Sequence, residues 1–310
     1  MISLFSVPKP FRGHIGTIQT NALESWVRLS PPCQITLFGD EEGTAEVATR
    51  YMVQHVPDVA RNQYGTPLLN DLFGKAQAMA NHNLMCYINA DIILMSDFMR
   101  AIERVLHLKK SFLMAGRRLD IDLEQSLSFE QPDWEKRFRL YAREHGKPRP
   151  AEWIDYFVFP RGLYQDLLPF AIGRAAFDNW LLWKARSLGA PVVDASEAVM
   201  AVHQNHDYSH HPQGQKGVWE GSEARSNIAL LGGGHHCFTL ADATHRLTPT
   251  GLKLNLSGEY FRRHVEVAVM ALRSRTLPIR HRLGLRRSNM DDLSKVIRKA
   301  FSAFSKRNVG

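Results

Sequence analysis

The sequence has few cysteines and no long apolar run. Among 310 residues only Cys33, Cys86 and Cys237 are cysteines; they lie far apart and form no CxxC pair. This usage argues against a disulfide-stapled scaffold and a cysteine-based zinc site, and it indicates a reducing compartment. No stretch of about 18 uncharged apolar residues is present, so no membrane-spanning helix is expected. The apolar run near Met1 is too short for a signal peptide, and a cytoplasmic location is expected.

Positive charge is concentrated at one end of the chain. The whole sequence has 39 Lys and Arg against 31 Asp and Glu, but residues 260–310 hold 13 basic and 3 acidic residues. The rest is slightly negative, and no nucleic-acid reader motif accompanies the tail, so nucleic acid is not an expected partner. Apolar and basic residues across 290–307 predict a basic amphipathic helix. Such a helix fits peripheral contact with an anionic membrane, or packing on its own domain or another subunit.

The first part of the chain alternates short apolar segments with amphipathic helical ones. This alternation predicts an α/β fold with a parallel sheet and crossover helices. Strands are predicted at 2–7, 34–38, 51–56 and 84–94. Helices are predicted at 15–29, from 44, and from the cap pair Thr66 and Pro67 to 79.

The second part is less regular. The pattern predicts strands at 112–115, 154–159, 191–194 and 198–203, and helices at 130–145 and 174–188. Residues 204–226 are rich in His, Gly, Gln and Ser and are interpreted as a long loop of the kind that often forms a lid.

Polar residues follow the predicted strands where each one ends. In open α/β sheets, binding sites lie beyond the carboxyl ends of the strands, so we expect Lys9, Asp40, Asn89 and Asp91 at one edge. A buried carboxylate needs a cation, a hydrogen-bond network or water, so Asp91 is a candidate ligand of a divalent metal. Capping of the next turn is the alternative for Asp91.

Two segments resemble the nucleotide-sugar glycosyltransferases of the GT-A fold, especially family 2-like members. GKAQAMAN at 74–81 and YINAD at 87–91 are similar to that family's helix with Lys and Asn, followed by a strand ending in an Asp-x-Asp type motif. Over roughly residues 1–240, the resemblance implies a GT-A-like, Rossmann-type, mainly parallel sheet with flanking helices. It also implies Mn²⁺ or Mg²⁺ on Asp91. Asn89 replaces the first Asp of the motif and removes one charge from that site.

The same resemblance implies roles for further residues near the donor. Pro8 and Lys9 would lie against the nucleobase, Asp40 would contact base or ribose, and Lys75 would reach the diphosphate. Asp40 could equally be a turn residue and Lys75 a solvated helix residue. His203 would complete the metal shell, with His206 as the weaker choice and a structural histidine as the alternative.

The resemblance also implies a catalytic base and an acceptor region. Asp178, at the start of an aromatic-rich helix, would remove the proton from the acceptor hydroxyl if the reaction inverts the sugar; helix capping is the alternative. Acceptor contacts would come from a pool that is rich in aromatic and polar groups: Arg117, Arg118, Trp153, Asp155 and Tyr156.

The expected activity is therefore hexosyl-type transfer from a nucleotide-diphosphate sugar to a hydroxyl of a glycan or lipid-linked acceptor, as in polysaccharide biosynthesis. A nucleotidyltransferase making an activated sugar and a non-catalytic glycan- or membrane-binding module are the alternatives. The expected organisation is a glycosyltransferase domain at 1–256, with a nucleotide-binding half at 1–115 and an acceptor half at 116–256. A basic helical extension occupies 257–310.

Overall fold

The structure is a computed structural model that describes residues 1–107, 111–207 and 214–282. Its strands are β1 (Ser3–Ser6), β2 (Gln34–Phe38), β3 (Gln54–Val56), β4 (Leu84–Ile88), β5 (Ile92–Ile93), β6 (Leu113–Ile121), β7 (Lys147–Pro148), β8 (Ile154–Pro160), β9 (Val192–Asp194), β10 (Ala201–Gln204), β11 (His245–Thr248) and β12 (Gly251–Leu254). Its α-helices are α1 (Gly13–Val27), α2 (Thr44–Tyr51), α3 (Leu69–Met79), α4 (Ser96–Val105), α5 (Trp134–His145), α6 (Phe177–Ser187), α7 (Gly214–Glu220), α8 (Ser222–Leu231) and α9 (Gly258–Arg282).

One mixed sheet organises the fold. Its strand order is β12-β11-β9-β6-β8-β4-β1-β2-β3. Strands β4, β1, β2 and β3 are parallel neighbours, and β6, β9 and β11 are parallel to one another. Strand β8 lies between β4 and β6 and runs antiparallel to both. The expected α/β class with a mainly parallel sheet and flanking helices is confirmed.

The sheet is buried on both faces, because successive side chains of a strand point to opposite sides. On one face, Phe5 and Phe159 pack with Phe73 of α3. On the other face, Leu4 and Val158 pack with α1 and α4. The rings of Phe73 and Phe159 stack with centroids 5.5 Å apart. Helices therefore cover both faces and leave the strand ends as the accessible edge.

The predicted cap pair at Thr66 and Pro67 is wrong. Helix α3 begins at Leu69, and its N-cap Leu68 makes no side-chain cap bond. The backbone before it is extended: Leu68 N–H donates to Ala60 O at 2.9 Å, and Pro67 O accepts from Ile172 N at 3.0 Å. Backbone pairing with these two neighbouring segments takes the place of the predicted first turn. Strand β3 likewise begins at Gln54, because α2 continues through Tyr51.

The long loop predicted at 204–226 is also wrong where the structure describes it. Helices α7 and α8 occupy its second part. Polar side chains of α8 are buried because they have internal partners. Asn227 Nδ2 donates to Ala171 O and its Oδ1 accepts from Ala171 N, both at 2.9 Å. Glu223 is 6% exposed and bonds Arg174 at 2.8 Å. A polar composition here reflects buried hydrogen bonds.

Helix α9 is joined to the preceding part of the chain by an ion pair. Arg263 Nη2 lies 2.9 Å from the buried Asp242 Oδ2. The predicted amphipathic helix at 290–307 lies outside the described residues. Among those that are described, no helix is both long enough and apolar enough to cross a membrane.

Candidate active site

The ends of β1 and β4 bring Lys9 and Asp91 together. These strands are paired in the sheet, and Ser6 Oγ donates to Ile88 O at 2.6 Å. Beyond them, Lys9 Nζ lies 3.8 Å from Asp91 Oδ2. The side chain of Gln19 fixes the Lys9 backbone, bonding its N–H at 2.6 Å and its carbonyl at 2.8 Å. The sequence correctly predicts that these two strand ends share one edge.

Two histidines approach Asp91 from β10 and the residues after it. Nε2 of His203 lies 3.9 Å and Nε2 of His206 lies 3.3 Å from Asp91 Oδ2. One ligand atom from each of the three residues lies within 4.8 Å of the other two. Asp91 Oδ1 is buried and has no hydrogen-bond partner among the described residues. This arrangement is a candidate metal centre, and it includes His206, the weaker choice from the sequence.

A layer of charged groups lies behind His203. Nδ1 of His203 lies 3.2 Å from Asp120 Oδ1, so the opposite ring nitrogen faces Asp91. Arg118 Nε lies 2.7 Å from the same carboxylate, and its Nη1 donates to Asp155 Oδ2 at 3.0 Å. A carboxylate behind a histidine is the usual support for a metal-binding imidazole. In the sequence, Asp120 lies beyond the strand predicted at 112–115, and its position shortly after that strand is the signal for it; the observed β6 extends to Ile121 and includes it.

The side chain of Asn89 binds Asp155. Its Nδ2 donates to Asp155 Oδ1 at 2.6 Å, and its Oδ1 accepts from Tyr87 Oη at 3.1 Å. Both ends of the amide are therefore engaged away from the Asp91 group. Asn89, which stands where the motif has its first Asp, therefore holds the carboxylate of Asp155 in place.

Opposing effects set the charge state of this cluster. Burial alone would raise the pKa of Asp91, but His203, His206 and Lys9 outweigh it and hold that pKa far below its ordinary value. Burial lowers the pKa of Lys9, although Asp91 and Asp155 oppose this. Lys9 Nζ also lies 2.9 Å from His206 Nε2. Asp91 is thus a permanent anion among positive and hydrogen-bonding groups.

Asp178 lies in the first turn of α6 in a different environment. Ala176 is the N-cap of that helix with a left-handed φ of 83°, so Asp178 is not the cap. Its Oδ1 accepts the backbone N–H of Asn179 at 2.8 Å. Burial, helped by the negative charge of Asp155, raises the pKa of Asp178 to about 7. A carboxyl group with this pKa can exchange protons near neutral pH.

Two residues predicted near the donor make ion pairs elsewhere. Asp40 Oδ1 lies 2.5 Å from Arg61 Nη2. Lys75 Nζ lies 2.9 Å from Asp58 Oδ2 and 3.1 Å from Asp71 Oδ2. The structure thus gives both a local partner, and their contact with a donor stays a prediction. Pro8 is buried directly before Lys9.

Part of the predicted acceptor pool meets the cluster. Arg118 and Asp155 are members of this pool that lie beside the Asp91 cluster. The ring of Trp153, a third member, lies 4.5 Å from the Arg118 guanidinium and 4.2 Å from that of Arg149. Trp153 also contacts Trp219 of α7, with ring centroids 5.6 Å apart.

The other two members of that pool lie elsewhere. Tyr156 is fully buried on the sheet face that packs on α4, where its ring meets Phe98. Arg117 is exposed and lines a separate cavity. Neither is brought to the Asp91 cluster. Side chains alternate between the two faces of a strand. Arg117 is next to Arg118 on β6, and Tyr156 is next to Asp155 on β8, so each points away from the face that its neighbour shares with the cluster.

No family model matches the chain, and no curated protein sequence matches it either. Solved structures do match. Among them are glycosyltransferases of the GT-A fold. TarS from S. aureus is 10% identical with a TM-score of 0.49, covering 85% of this chain and 43% of that one. Glucosyl-3-phosphoglycerate synthase from Mycobacterium tuberculosis, in complex with phosphoglyceric acid, is 18% identical with a TM-score of 0.46, covering 76% and 80%.

A third match is the mannosyltransferase PcManGT from Pyrobaculum calidifontis in complex with GDP-Man and Mn²⁺. It is 13% identical with a TM-score of 0.41, and the alignment covers 65% of this chain and 56% of that one. This chain spans less than two thirds of the TarS structures, including TarS 1-349 in complex with UDP-GlcNAc, of which it covers 60%.

Proposed function

We propose that this protein is a metal-dependent glycosyltransferase that moves a sugar from a nucleotide-diphosphate donor to a hydroxyl of a glycan or lipid-linked acceptor. The observation that carries the proposal is the Asp91, His203 and His206 group at the carboxyl edge of the sheet. Asp155 links this group to a potential base: it bonds Arg118 beside the cluster, and its charge acts on Asp178. An anion-binding centre and a proton acceptor are what displacement of a diphosphate by a hydroxyl requires.

The residues fit a divalent ion. Asp91 Oδ1 is a buried acceptor without a partner among the described residues, and both histidines turn Nε2 toward Asp91. Imidazole ligands suit first-row transition ions, and carboxylate ligands suit Mn²⁺ and Mg²⁺ alike, so Mn²⁺, as a first-row transition ion, is the better fit of the two. When bound, the ion would neutralise charge on the leaving diphosphate.

Lys9 supplies a second positive charge at the same place. It follows the buried Pro8, and its backbone is held by Gln19, so the ammonium group is brought close to Asp91 by the end of β1. A lysine in this position can act on a phosphate as a point charge. In the proposal, Lys9 turns from His206 to the donor when the donor binds.

Asp178 has the properties of a general base. With a pKa of about 7, it is ionised in a large share of molecules at neutral pH and still basic enough to accept a proton from a hydroxyl. We assign to Asp178 the removal of the proton from the acceptor hydroxyl in an inverting reaction. Its position within the first turn of α6, rather than at the cap, leaves its second oxygen outside the bond with Asn179.

The acceptor would lie over the aromatic pair of Trp153 and Trp219. Trp219 is 38% exposed, and Trp153 is fixed between two guanidinium groups. Aromatic faces flanked by charged hydrogen-bond donors suit the apolar face and the hydroxyls of a sugar ring. This supports a glycan portion in the acceptor, whether free or attached to lipid.

The test is a thermal-shift and donor-hydrolysis screen of the full chain. The probes are UDP, GDP, UDP-GlcNAc and GDP-Man, each with Mn²⁺, with Mg²⁺ or with a chelator. We expect one nucleotide series to raise the melting temperature only when the metal is present, because a ligand that binds the folded state stabilises it. Release of the nucleoside diphosphate should follow the same metal dependence. Equal shifts with metal and chelator would contradict the metal centre, and binding without any turnover would favour the non-catalytic module.

A further inference from the structure

A polar cavity is lined by none of the residues Asp91, His203 and His206. It has a volume of about 500 Å³ and is formed by parts of α4, α5, β6 and residues 194–201. Cavities of this size commonly hold small molecules. Five arginines and three carboxylates line it, which leaves an excess of positive charge.

Some of these arginines already have acidic partners. Arg139 Nη1 lies 2.7 Å from Asp97 Oδ2, and Arg246 pairs with Glu197. Arg117 and Arg143 differ, because neither makes an ion pair with any residue in the described parts of the chain. Both are exposed at the cavity wall, so they are available to an anion that enters it.

Asp194 adds a hydrogen-bonding group to the same wall. It is 7% exposed, and its Oδ1 accepts both the backbone N–H and the hydroxyl of Ser196. Its Oδ2 has no hydrogen-bond partner within 1–107, 111–207 and 214–282. Burial also raises the pKa of Asp194. A carboxyl oxygen without a hydrogen-bond partner can accept a hydrogen bond from a hydroxyl group.

The cavity adjoins the proposed active site through Arg118, which also lines the cavity. Arg117 and Arg118 are consecutive on β6, so their side chains point to opposite faces of the strand. Arg118 binds Asp120 and Asp155 beside the Asp91 cluster, whereas Arg117 borders the cavity with Asp194. Arg118 thus borders both sites, whereas Arg117, Arg143 and Asp194 line the cavity and are not part of the Asp91, His203 and His206 group.

We propose that this cavity binds a small anionic saccharide, either a phosphorylated or a carboxylated sugar. Arg117 and Arg143 bind its phosphate or carboxylate, since guanidinium groups match both anions. Asp194 Oδ2 accepts a hydrogen bond from one of its hydroxyls. The site goes beyond the proposed transferase reaction, which needs none of these three residues.

The test is isothermal titration calorimetry on the full chain with four probes: glucose 6-phosphate, glucuronate, glucose and inorganic phosphate. We expect one or both anionic sugars to bind, and the difference between them identifies the anion. R117Q and R143Q should each weaken that binding about tenfold or more, because each removes a charge-assisted hydrogen bond. R50Q, which changes an exposed arginine on α2, is the matched control and should bind as the original protein does.

A D91N variant separates this proposal from the first. It should keep the sugar-anion binding, even if donor hydrolysis fails. Loss of probe binding in D91N would place the probe in the Asp91 site and overturn the second site. Equal affinity for glucose and glucose 6-phosphate, equal affinity for phosphate alone, unchanged binding in both R117Q and R143Q, or no binding of either anionic sugar would also overturn it.

Discussion

Asp91 and Asp178 are the same residue type in opposite electrostatic surroundings. Asp91 lies among His203, His206 and Lys9, which hold its pKa far below the ordinary value despite burial. Burial raises the pKa of Asp178 to about 7, the charge of Asp155 adds to the effect, and the charge of Arg118 opposes it only in part. One carboxylate is therefore a fixed anion and the other can exchange a proton.

This difference assigns separate roles. A carboxylate whose pKa lies far below the working pH is suited to serve as a ligand or an electrostatic support, and it is a weak general base. A carboxyl with a raised pKa can accept a proton near neutral pH. In sites that carry out acid–base chemistry, the surroundings commonly make the pKa values of two such groups differ widely. In the proposed reaction, donor binding is therefore assigned to Asp91 and proton transfer to Asp178.

The largest effect is expected from removing the base. In D178N, the rate of donor turnover should fall by about 10² to 10⁴, the usual contribution of a general base. Donor binding should stay near normal, because the Asp91 cluster is intact. The measurements are nucleoside diphosphate release at saturating donor and donor affinity by calorimetry.

Stability distinguishes this loss from unfolding. Above pH 7 the folded protein must keep Asp178 ionised in a buried place, so the neutral D178N should unfold at the same temperature or higher. D166N, at an exposed aspartate between β8 and α6, is the matched control and should keep full turnover. A D178N protein with normal turnover would remove the proton-transfer half of the comparison.

The next effect concerns the fixed anion. D91N keeps the shape of the side chain and removes its charge, so donor turnover should fall by about 10² to 10³, as for loss of one electrostatic group in an active site. Metal-dependent donor binding should weaken with it, in contrast to D178N. D133N changes an exposed aspartate and should leave both quantities unchanged. If D91N bound donor and metal normally, Asp91 would be a structural residue of the turn after β4.

A smaller effect is expected behind the histidine. D120N removes the negative charge of the carboxylate that lies 3.2 Å from His203 Nδ1. The affinity for Mn²⁺ should fall about 10- to 100-fold, as it does for outer groups of metal sites. The matched control is D122N, which alters an exposed carboxylate two residues further on that bonds Asn205. Equal metal affinity in D120N and D122N would show that His203 does not depend on this support.

The strands and their edge could be predicted because they follow local patterns. Strand β2 has the predicted bounds 34–38, and Lys9 and Asp91 meet as their positions after parallel strands require. Helices α7 and α8 could not be predicted from their polar composition. Glu223 and Asn227 are buried there only because Arg174 and Ala171, distant in sequence, supply hydrogen bonds.

In the candidate site, too, the contacts between residues distant in sequence could not be predicted. A resemblance pointed to Asp91, Asp178 and His203, but the roles of Asn89 and Asp120 depend on contacts across strands. Strand alternation could have separated Arg117 from Arg118, and Tyr156 from Asp155, once the neighbouring strands were known. No sequence pattern gives the pKa of Asp178, because burial by the rest of the chain sets it.

The smallest predicted effect is the pH dependence, and it tests the comparison without a substitution. Asp178 accepts a proton only when ionised, so turnover at saturating donor and metal should fall toward tenfold per pH unit as pH drops below about 7. Asp91 contributes nothing to this fall in turnover, since its pKa lies far below that pH range. The residual turnover of D178N should not show this fall in rate below pH 7. If D178N retained it, another group would titrate, and the raised pKa of Asp178 would have no part in the reaction.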